Sequence, residues 1–187
     1  MRLTHHSRLA QDCRGMTLIE VLIAAVVIAI GLLGVAALQV TALQGSSNAD
    51  YRSRATELAA SLSDRMRANL EGVEDNAYIS NVDADCDNPP APICSVTPNA
   101  TTTTGVAECT TDEIAVFDLW EVRCRNGVQN TLPGGQLVVD CIDNDGGDAD
   151  PCSTMSPMTA TITWQVQSDS AVLETQTVVS TIVPGAP

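Results

Sequence analysis

The sequence predicts an α+β fold in which a long N-terminal helix packs on a C-terminal antiparallel sheet. Three patterns predict this. An uncharged apolar run covers residues 21–38. Apolar side chains then recur at steps of three and four from Tyr51 to Leu70, which is the spacing of one helix face. Between Met158 and Gln167 polar and apolar side chains alternate, which is the period of a half-buried strand.

The charge of the chain excludes several classes of function. The 187 residues include 23 acidic side chains and nine basic ones, all arginine, for a formal net charge of -14. Such a chain repels phosphate backbones, so we expect no nucleic-acid binding. The only histidines are His5 and His6, and lysine is absent. We therefore expect no enzyme, since the body of the chain has no histidine for a nucleophile pair and no lysine for a Schiff base. The alternative is an anchored envelope enzyme using two carboxylates, although no motif singles out a pair.

The apolar run has the length of a membrane span. With residues 16–19 it reaches about 20 residues, which matches the hydrocarbon core of a bilayer. Arg2, Arg8 and Arg14 precede it. Basic residues before a first span hold that end in the cytoplasm, so we expect the rest of the chain outside. A cleaved secretory signal and a plain anchor helix are the alternatives.

Glu20 lies within this apolar segment, where a carboxylate is costly to bury and needs a partner. Arg14 is the nearest cation and lies outside the span. Two interpretations stay open. Glu20 could form a capping box with Thr17, or it could have a functional partner elsewhere.

The segment Arg14-Gly-Met-Thr-Leu-Ile-Glu-Val-Leu22 resembles the signal of type IV prepilins and pseudopilins. The resemblance implies that a prepilin peptidase cleaves between Gly15 and Met16 and then methylates the new N-terminus. It also implies that Glu20 pairs with the positive N-terminus of a neighbouring subunit in a filament. Residues 1–15 would be a cleaved leader, 16–43 a transmembrane and filament-core helix, and 44–187 a periplasmic head.

Three further segments resemble the PilV family of minor pilins. They are Ile30–Gln39, Arg52–Thr56 and Asp64–Asn69. The resemblance implies a type IV pilin-like fold and a role in assembling and initiating type IV pili. The implied partners are other minor pilins, the major pilin and the inner-membrane assembly machinery. The protein would start as a single-pass inner-membrane protein and end in the pilus. The alternative is a pseudopilin of type II secretion, which shares the Glu20 motif.

The remaining elements follow from local patterns. The first helix should run from Thr17 to about Glu71 and stop at Gly72. A second helix should cover residues 112–130, capped by Thr111 or Asp112. Leu132-Pro-Gly-Gly135 predicts a tight turn with Pro at its second position and Gly at its third. The predicted strands are Gln136–Ile142, Met158–Gln167 and Leu173–Val183, the last two joined as a hairpin.

The cysteines predict a disulfide-bonded head. Cys13 would leave with the leader, and an even set of six then remains outside the membrane, where up to three disulfides can form. Spacing leaves fifteen pairings open, although a Cys86–Cys94 bond would close a proline-rich loop easily. A zinc site is disfavoured because no C-x-x-C pair is present. The candidate cysteines are Cys86, Cys94, Cys109, Cys124, Cys141 and Cys152.

An acidic loop is the only candidate cofactor site. Its carboxylates stand on a glycine-containing segment, which suits calcium, but the spacing of an EF-hand is missing. A solvated acidic loop explains the segment as well. No other cofactor is expected. The candidate ligands are Asp143, Asp145, Asp148 and Asp150.

Overall fold

The computed structural model describes residues 16–81, 84–94, 108–145, 147, 152–153, 155–167 and 172–183. Its elements are four helices and three strands within these ranges. They are α1 (Leu18–Ala68), α2 (Leu70–Glu74), α3 (Thr111–Cys124), α4 (Val128–Thr131), β1 (Gln136–Cys141), β2 (Met158–Gln167) and β3 (Leu173–Ile182). The chain divides into two units, residues 1–46 and residues 47–187.

The first unit contains the apolar start of α1. This helix is long and apolar enough to cross a membrane, with a mean hydropathy of 3.0 over its most apolar 18 residues, none of which is buried. Leu18 is 90% exposed, and the large aliphatic side chains that follow it in this part of the helix are exposed as well. Because apolar side chains on every face of a helix suit lipid or a helical bundle, this part of α1 has the length and composition of a membrane-spanning segment.

The second unit is built on an antiparallel sheet. The strand order is β1-β2-β3, and β2 pairs with both neighbours without a bulge. Ala160, Ile162, Trp164 and Val166 of β2 are buried, as the alternation predicts. The last part of α1 contributes Ala55, Ala59, Leu62 and Met66 to the same core. The predicted α+β arrangement, a helix packed on a three-stranded antiparallel sheet, is therefore confirmed.

The predicted turn before β1 is also confirmed. The backbone N–H of Gly135 donates to the carbonyl of Leu132 over 3.0 Å, and Gly134 has φ of +59°. A positive φ at the third position is the type II geometry, which favours glycine because it has no Cβ. The turn delivers the chain into β1 at Gln136, where the sequence predicts the strand to start.

Two predicted helix ends are wrong. Gly72 does not end the first helix, because α1 stops at Ala68 and Gly72 lies buried inside α2. A Cβ on Gly72 would stand 2.5 Å from Nδ2 of Asn69 and 3.1 Å from the carbonyl oxygen of Thr111, so close packing explains this glycine. The predicted 112–130 helix is two helices. α3 starts at Thr111 with Thr110 as its cap, and Glu113 completes a capping box. The chain leaves the helical path at Arg125 and resumes it in α4.

Candidate functional site

The start of α1 carries the residues that the sequence singles out. The carbonyl of Thr17 accepts the backbone N–H of Glu20 over 3.0 Å and that of Val21 over 3.3 Å, which opens the helix. Gly15 lies outside the described residues, whereas Met16 is described and is 73% exposed. This places an exposed apolar residue immediately before the first helical turn.

The Glu20 carboxylate has no partner in the part of the chain that the structure describes. It lies in the first turn of α1, with the 63% exposed Ile19 beside it. Among the described residues the carboxylate accepts no hydrogen bond and forms no ion pair, so the capping box with Thr17 is not formed there. A negative charge near a helix N-terminus is favourable, but that interaction is small beside the cost of placing it in lipid. The geometry therefore leaves the carboxylate available to another molecule.

Six cysteines of the second unit form three disulfides. Cys86 bonds to Cys124, Cys94 to Cys109, and Cys141 to Cys152. The Cys86–Cys94 pairing that the loop suggested is not the one formed. Cys124 is the last residue of α3, so the first bond ties this helix to the segment that follows Ser80.

A partly buried group of charges, which we call the Arg65 network, joins α1 to α3. It consists of Arg65, Tyr78, Asp118, Glu121 and Arg125. An Arg65 Nη1 atom lies 2.7 Å from Asp118 Oδ1 and 2.8 Å from Glu121 Oε2. Arg125 reaches the other oxygen of Glu121 over 2.6 Å, and the hydroxyl of Tyr78 donates to Asp118 over 2.8 Å. Two cations and two carboxylates therefore balance within one cluster.

Burial and charge shift two pKa values in the Arg65 network. Burial acts to lower the pKa of Arg65, but its bonds to Asp118 and Glu121 outweigh burial and raise that pKa overall. Burial raises the pKa of the Tyr78 phenol and the nearby Asp118 charge adds to the effect, against an opposing hydrogen bond from Asn69. The phenol therefore stays protonated as a donor to Asp118 at any ordinary pH.

The sequence patterns did not reveal the Arg65 network. Arg65 lies between the core residues Leu62 and Met66, and its partners are more than fifty residues away. One signal is present in α3. Asp118 and Glu121 stand three residues apart and so lie on one face of the helix. Leu119 and Val122, which follow them in the sequence, are buried as well. Two acids on the apolar side of a helix indicate a buried cation.

Only part of the acidic loop is described. Asp148 and Asp150 lie outside the described residues. An Asp143 oxygen accepts the backbone N–H of Ser153 over 3.1 Å and its hydroxyl over 2.8 Å. These bonds, together with the backbone N–H of Asp145, lower the pKa of the Asp143 carboxyl. Among the described residues no group of three or more His, Cys, Asp or Glu side chains is placed to hold a metal ion.

The apolar helix and the helix-on-sheet unit give the chain a pilin-like fold. The family model of the type IV pilin Tt1218 matches residues 37–120, and the prokaryotic N-terminal methylation motif matches residues 11–36. These two matches support a type IV pilin of the Tt1218-like kind that carries an N-terminal methylation motif. No curated protein and no solved structure matches the chain.

The family matches settle the class of function. Type IV pilins are structural proteins, so the prediction that the chain is not an enzyme is confirmed. The methylation motif implies processing by a prepilin peptidase, the partner that the sequence predicts. The chain is therefore a prepilin with an N-terminal membrane-spanning helix, located at the membrane and in the pilus.

Proposed function

We propose that the chain is a minor pilin of the PilV type that helps to initiate type IV pili. Prepilin peptidase would cleave between Gly15 and Met16 and methylate Met16. Residues 16–43 would then form the filament-core helix, and residues 44–187 would form a head that faces the periplasm until assembly. The other minor pilins and the major pilin would be its neighbours, delivered by the inner-membrane machinery.

The observation that carries the proposal is the carboxylate of Glu20. It lies in an apolar helix without a partner among the described residues. Two opposite charges about 4 Å apart attract by roughly 4 kcal/mol at an effective dielectric near 20. A methylated amino terminus on an adjacent subunit supplies such a charge. The pairing neutralises both groups in the filament core and so favours incorporation of the subunit.

Variants of Glu20 test the assembly role. We expect Glu20→Ala and Glu20→Gln to enter the membrane normally but to be missing from sheared pili, since both lack the negative charge. Glu20→Asp keeps the charge and should recover part of the signal. Glu57→Ala removes an exposed glutamate further along α1 and is the matched control. Quantitative immunoblots of membranes and sheared pili measure the ratio. A normal ratio for Glu20→Gln would refute the role.

Mass spectrometry of the N-terminus tests the processing step separately. We expect the chain from membranes and pili to begin at a methylated Met16. An intact Met1 would contradict cleavage after Gly15.

Deletion of the gene distinguishes a pilus role from a secretion role, because we expect the deletion to reduce the number of pili and to leave secreted enzymes unchanged. The opposite result would identify a type II secretion pseudopilin.

A further inference from the structure

Among the described residues, the outer edge of β3 has no partner strand. β3 stands at the end of the order β1-β2-β3 and spans ten residues, Leu173–Ile182. In the part of the chain that the structure describes, every backbone pairing of β3 is with β2. The other end of the sheet differs, because Ser80 forms a bridge with Val139 beyond β1.

The bridge at Ser80 shows which backbone groups of β3 face outward. Val139 exchanges two hydrogen bonds of 2.9 Å with Ser80, so its N–H and C=O point away from β2. Backbone direction alternates along a strand and is shared by paired residues in an antiparallel ladder. Val139 pairs with Ala160, and Ala160 pairs with Ser180. The backbone groups of Ser180 therefore point toward β2, and those of the odd-numbered residues of β3 point outward. They are Leu173, Thr175, Thr177, Val179 and Thr181.

Among the described residues this edge has few of the features that usually protect one, and its one charged side chain is Glu174, next to its first residue. Natural edge strands are blunted by lysine, proline, bulges or a covering segment. The pairing with β2 runs without a bulge from Leu173 to Ile182, and the strand contains neither lysine nor proline. Leu173 is 65% exposed and Val179 is 57% exposed. Five consecutive pairs of N–H and C=O groups, flanked by threonine and aliphatic side chains, form a template for an extended chain.

The charges of the second unit indicate what can bind there. The charged residues of the three strands are Asp140 and Glu174, both acidic. Residues 47–187 contain 21 acidic side chains and six arginines, a formal balance of -15. A second copy would bring the same strongly acidic surface against this one. A strand that places a cation opposite Glu174 gains a favourable cross-strand charge pair instead. Glu174 and that residue would form a non-hydrogen-bonded pair, in which the two side chains are closely spaced.

We propose that the outer edge of β3 binds an extended strand of a different protein subunit, antiparallel to β3, with a basic residue opposite Glu174. The bound strand would hydrogen-bond to the five outward-facing residues and extend the sheet to four strands. On the outer face of the sheet, threonine or aliphatic side chains of the bound strand would pack beside Thr175, Thr177 and Val179. This inference rests on the sheet alone and does not depend on the minor-pilin role.

The test uses the full chain in detergent micelles and two synthetic peptides. The first probe is the capped peptide Thr-Val-Thr-Val-Thr-Val-Thr-Arg, whose C-terminal arginine lies opposite Glu174 in an antiparallel complex. The second has Glu in place of Arg. Fluorescence anisotropy measures affinity, and hydrogen exchange measures protection of the β3 amides. We expect the basic probe to bind at least ten times more tightly than the acidic one and to protect the outward-facing amides of Thr175, Thr177, Val179 and Thr181.

Three variants locate the binding edge. Thr177→Pro removes an outward N–H and leaves the bonds to β2 intact, so the melting temperature should change little while affinity falls at least tenfold. Glu174→Arg should reverse the preference between the two probes. Thr161→Val lies on the outer face of the central strand and is the matched control, with affinity expected within twofold of the unmodified chain.

Several results would overturn the proposal. Equal affinity for both probes would contradict the proposal that the bound strand has a basic residue opposite Glu174. Unchanged binding by Thr177→Pro would place the peptide elsewhere, and so would a Glu174→Arg chain that keeps its preference for the basic probe, which decides the matter if the proline variant unfolds. A concentration-dependent dimer of the unmodified chain that Thr177→Pro abolishes would identify a second copy as the occupant.

Discussion

Replacement of Arg65 by methionine should destabilise the second unit by about 2–3 kcal/mol. The substitution keeps most of the aliphatic length but removes the cation from Asp118 and Glu121, whose side chains are 11% and 7% exposed. Breaking a fully buried ion pair from one side costs roughly 3–5 kcal/mol. We expect less here because the Arg65 side chain is 33% exposed and both acids keep another partner, Tyr78 for Asp118 and Arg125 for Glu121.

Arg67→Met is the matched control for this experiment. Arg67 lies on the same helix and forms an ion pair with Asp64 over 3.1 Å, but the two side chains are 59% and 77% exposed. Exposed pairs of this kind contribute about 0.2–1 kcal/mol, so its effect should stay below 1 kcal/mol. Urea unfolding of the full chain in detergent, followed by the fluorescence of Trp120 and Trp164, gives the free energy of unfolding for each variant.

Neutralising the acids separates charge from packing. In the triple variant Arg65→Met, Asp118→Asn, Glu121→Gln, no carboxylate of the pair is left without its cation, so much of the lost stability should return. The explanation is wrong if Arg65→Met costs no more than Arg67→Met. It is also wrong if the triple variant is no more stable than the single one, since the loss would then come from packing.

Three other predictions concern the same unit. Replacing Cys86 and Cys124 by serine opens a loop with a sequence separation of 38 and should lower the free energy of unfolding by about 4 kcal/mol. Replacing Cys141 and Cys152, with a separation of 11, should lower it by about 3 kcal/mol. Urea unfolding checks this ranking, which a larger loss for the Cys141–Cys152 variant would contradict. The raised pKa of Tyr78 stabilises the fold fully below the ordinary tyrosine value of about 10, and this contribution is lost as pH rises towards the folded value. In a Tyr51→Phe chain, tyrosinate absorbance should therefore appear only as the unit unfolds; its appearance before unfolding would refute the burial argument. Calorimetry with calcium should give no heat because Ser153 already occupies an oxygen of Asp143, and a saturable heat lost in Asp143→Asn would restore the calcium hypothesis.

Features set by neighbouring residues can be predicted from the sequence. The turn at Pro133 and Gly134 depends on two residue types whose backbone angles are restricted or unusually free, and its predicted position is correct. The prediction for β2 is correct to the residue because its alternation runs unbroken from Met158 to Gln167. The predicted face of α1 contains one error, since Leu70 lies beyond the end of that helix and is 41% exposed.

Features set by distant residues could not be predicted. The partner of Cys86 is 38 residues away, and spacing treats all fifteen pairings alike. Gly72 has the residue type of a helix end, but its role is set by the Asn69 amide packed against it, which the carbonyl of the distant Thr111 holds in place. The cysteine and the glycine need the tertiary structure, because the deciding contact is long-range.

The order of the disulfides along the chain has a mechanical consequence. The Cys94–Cys109 bond lies within the loop that Cys86–Cys124 closes, so two covalent links enclose the same stretch. With neither bond present, the 38 residues would reach roughly 130 Å when fully extended. A pilin in a filament under tension cannot release this contour length while the outer bond is intact, even if α3 leaves the core. The subunit would yield by losing packing rather than by lengthening, and the load would pass across Cys86–Cys124 instead of along the loop.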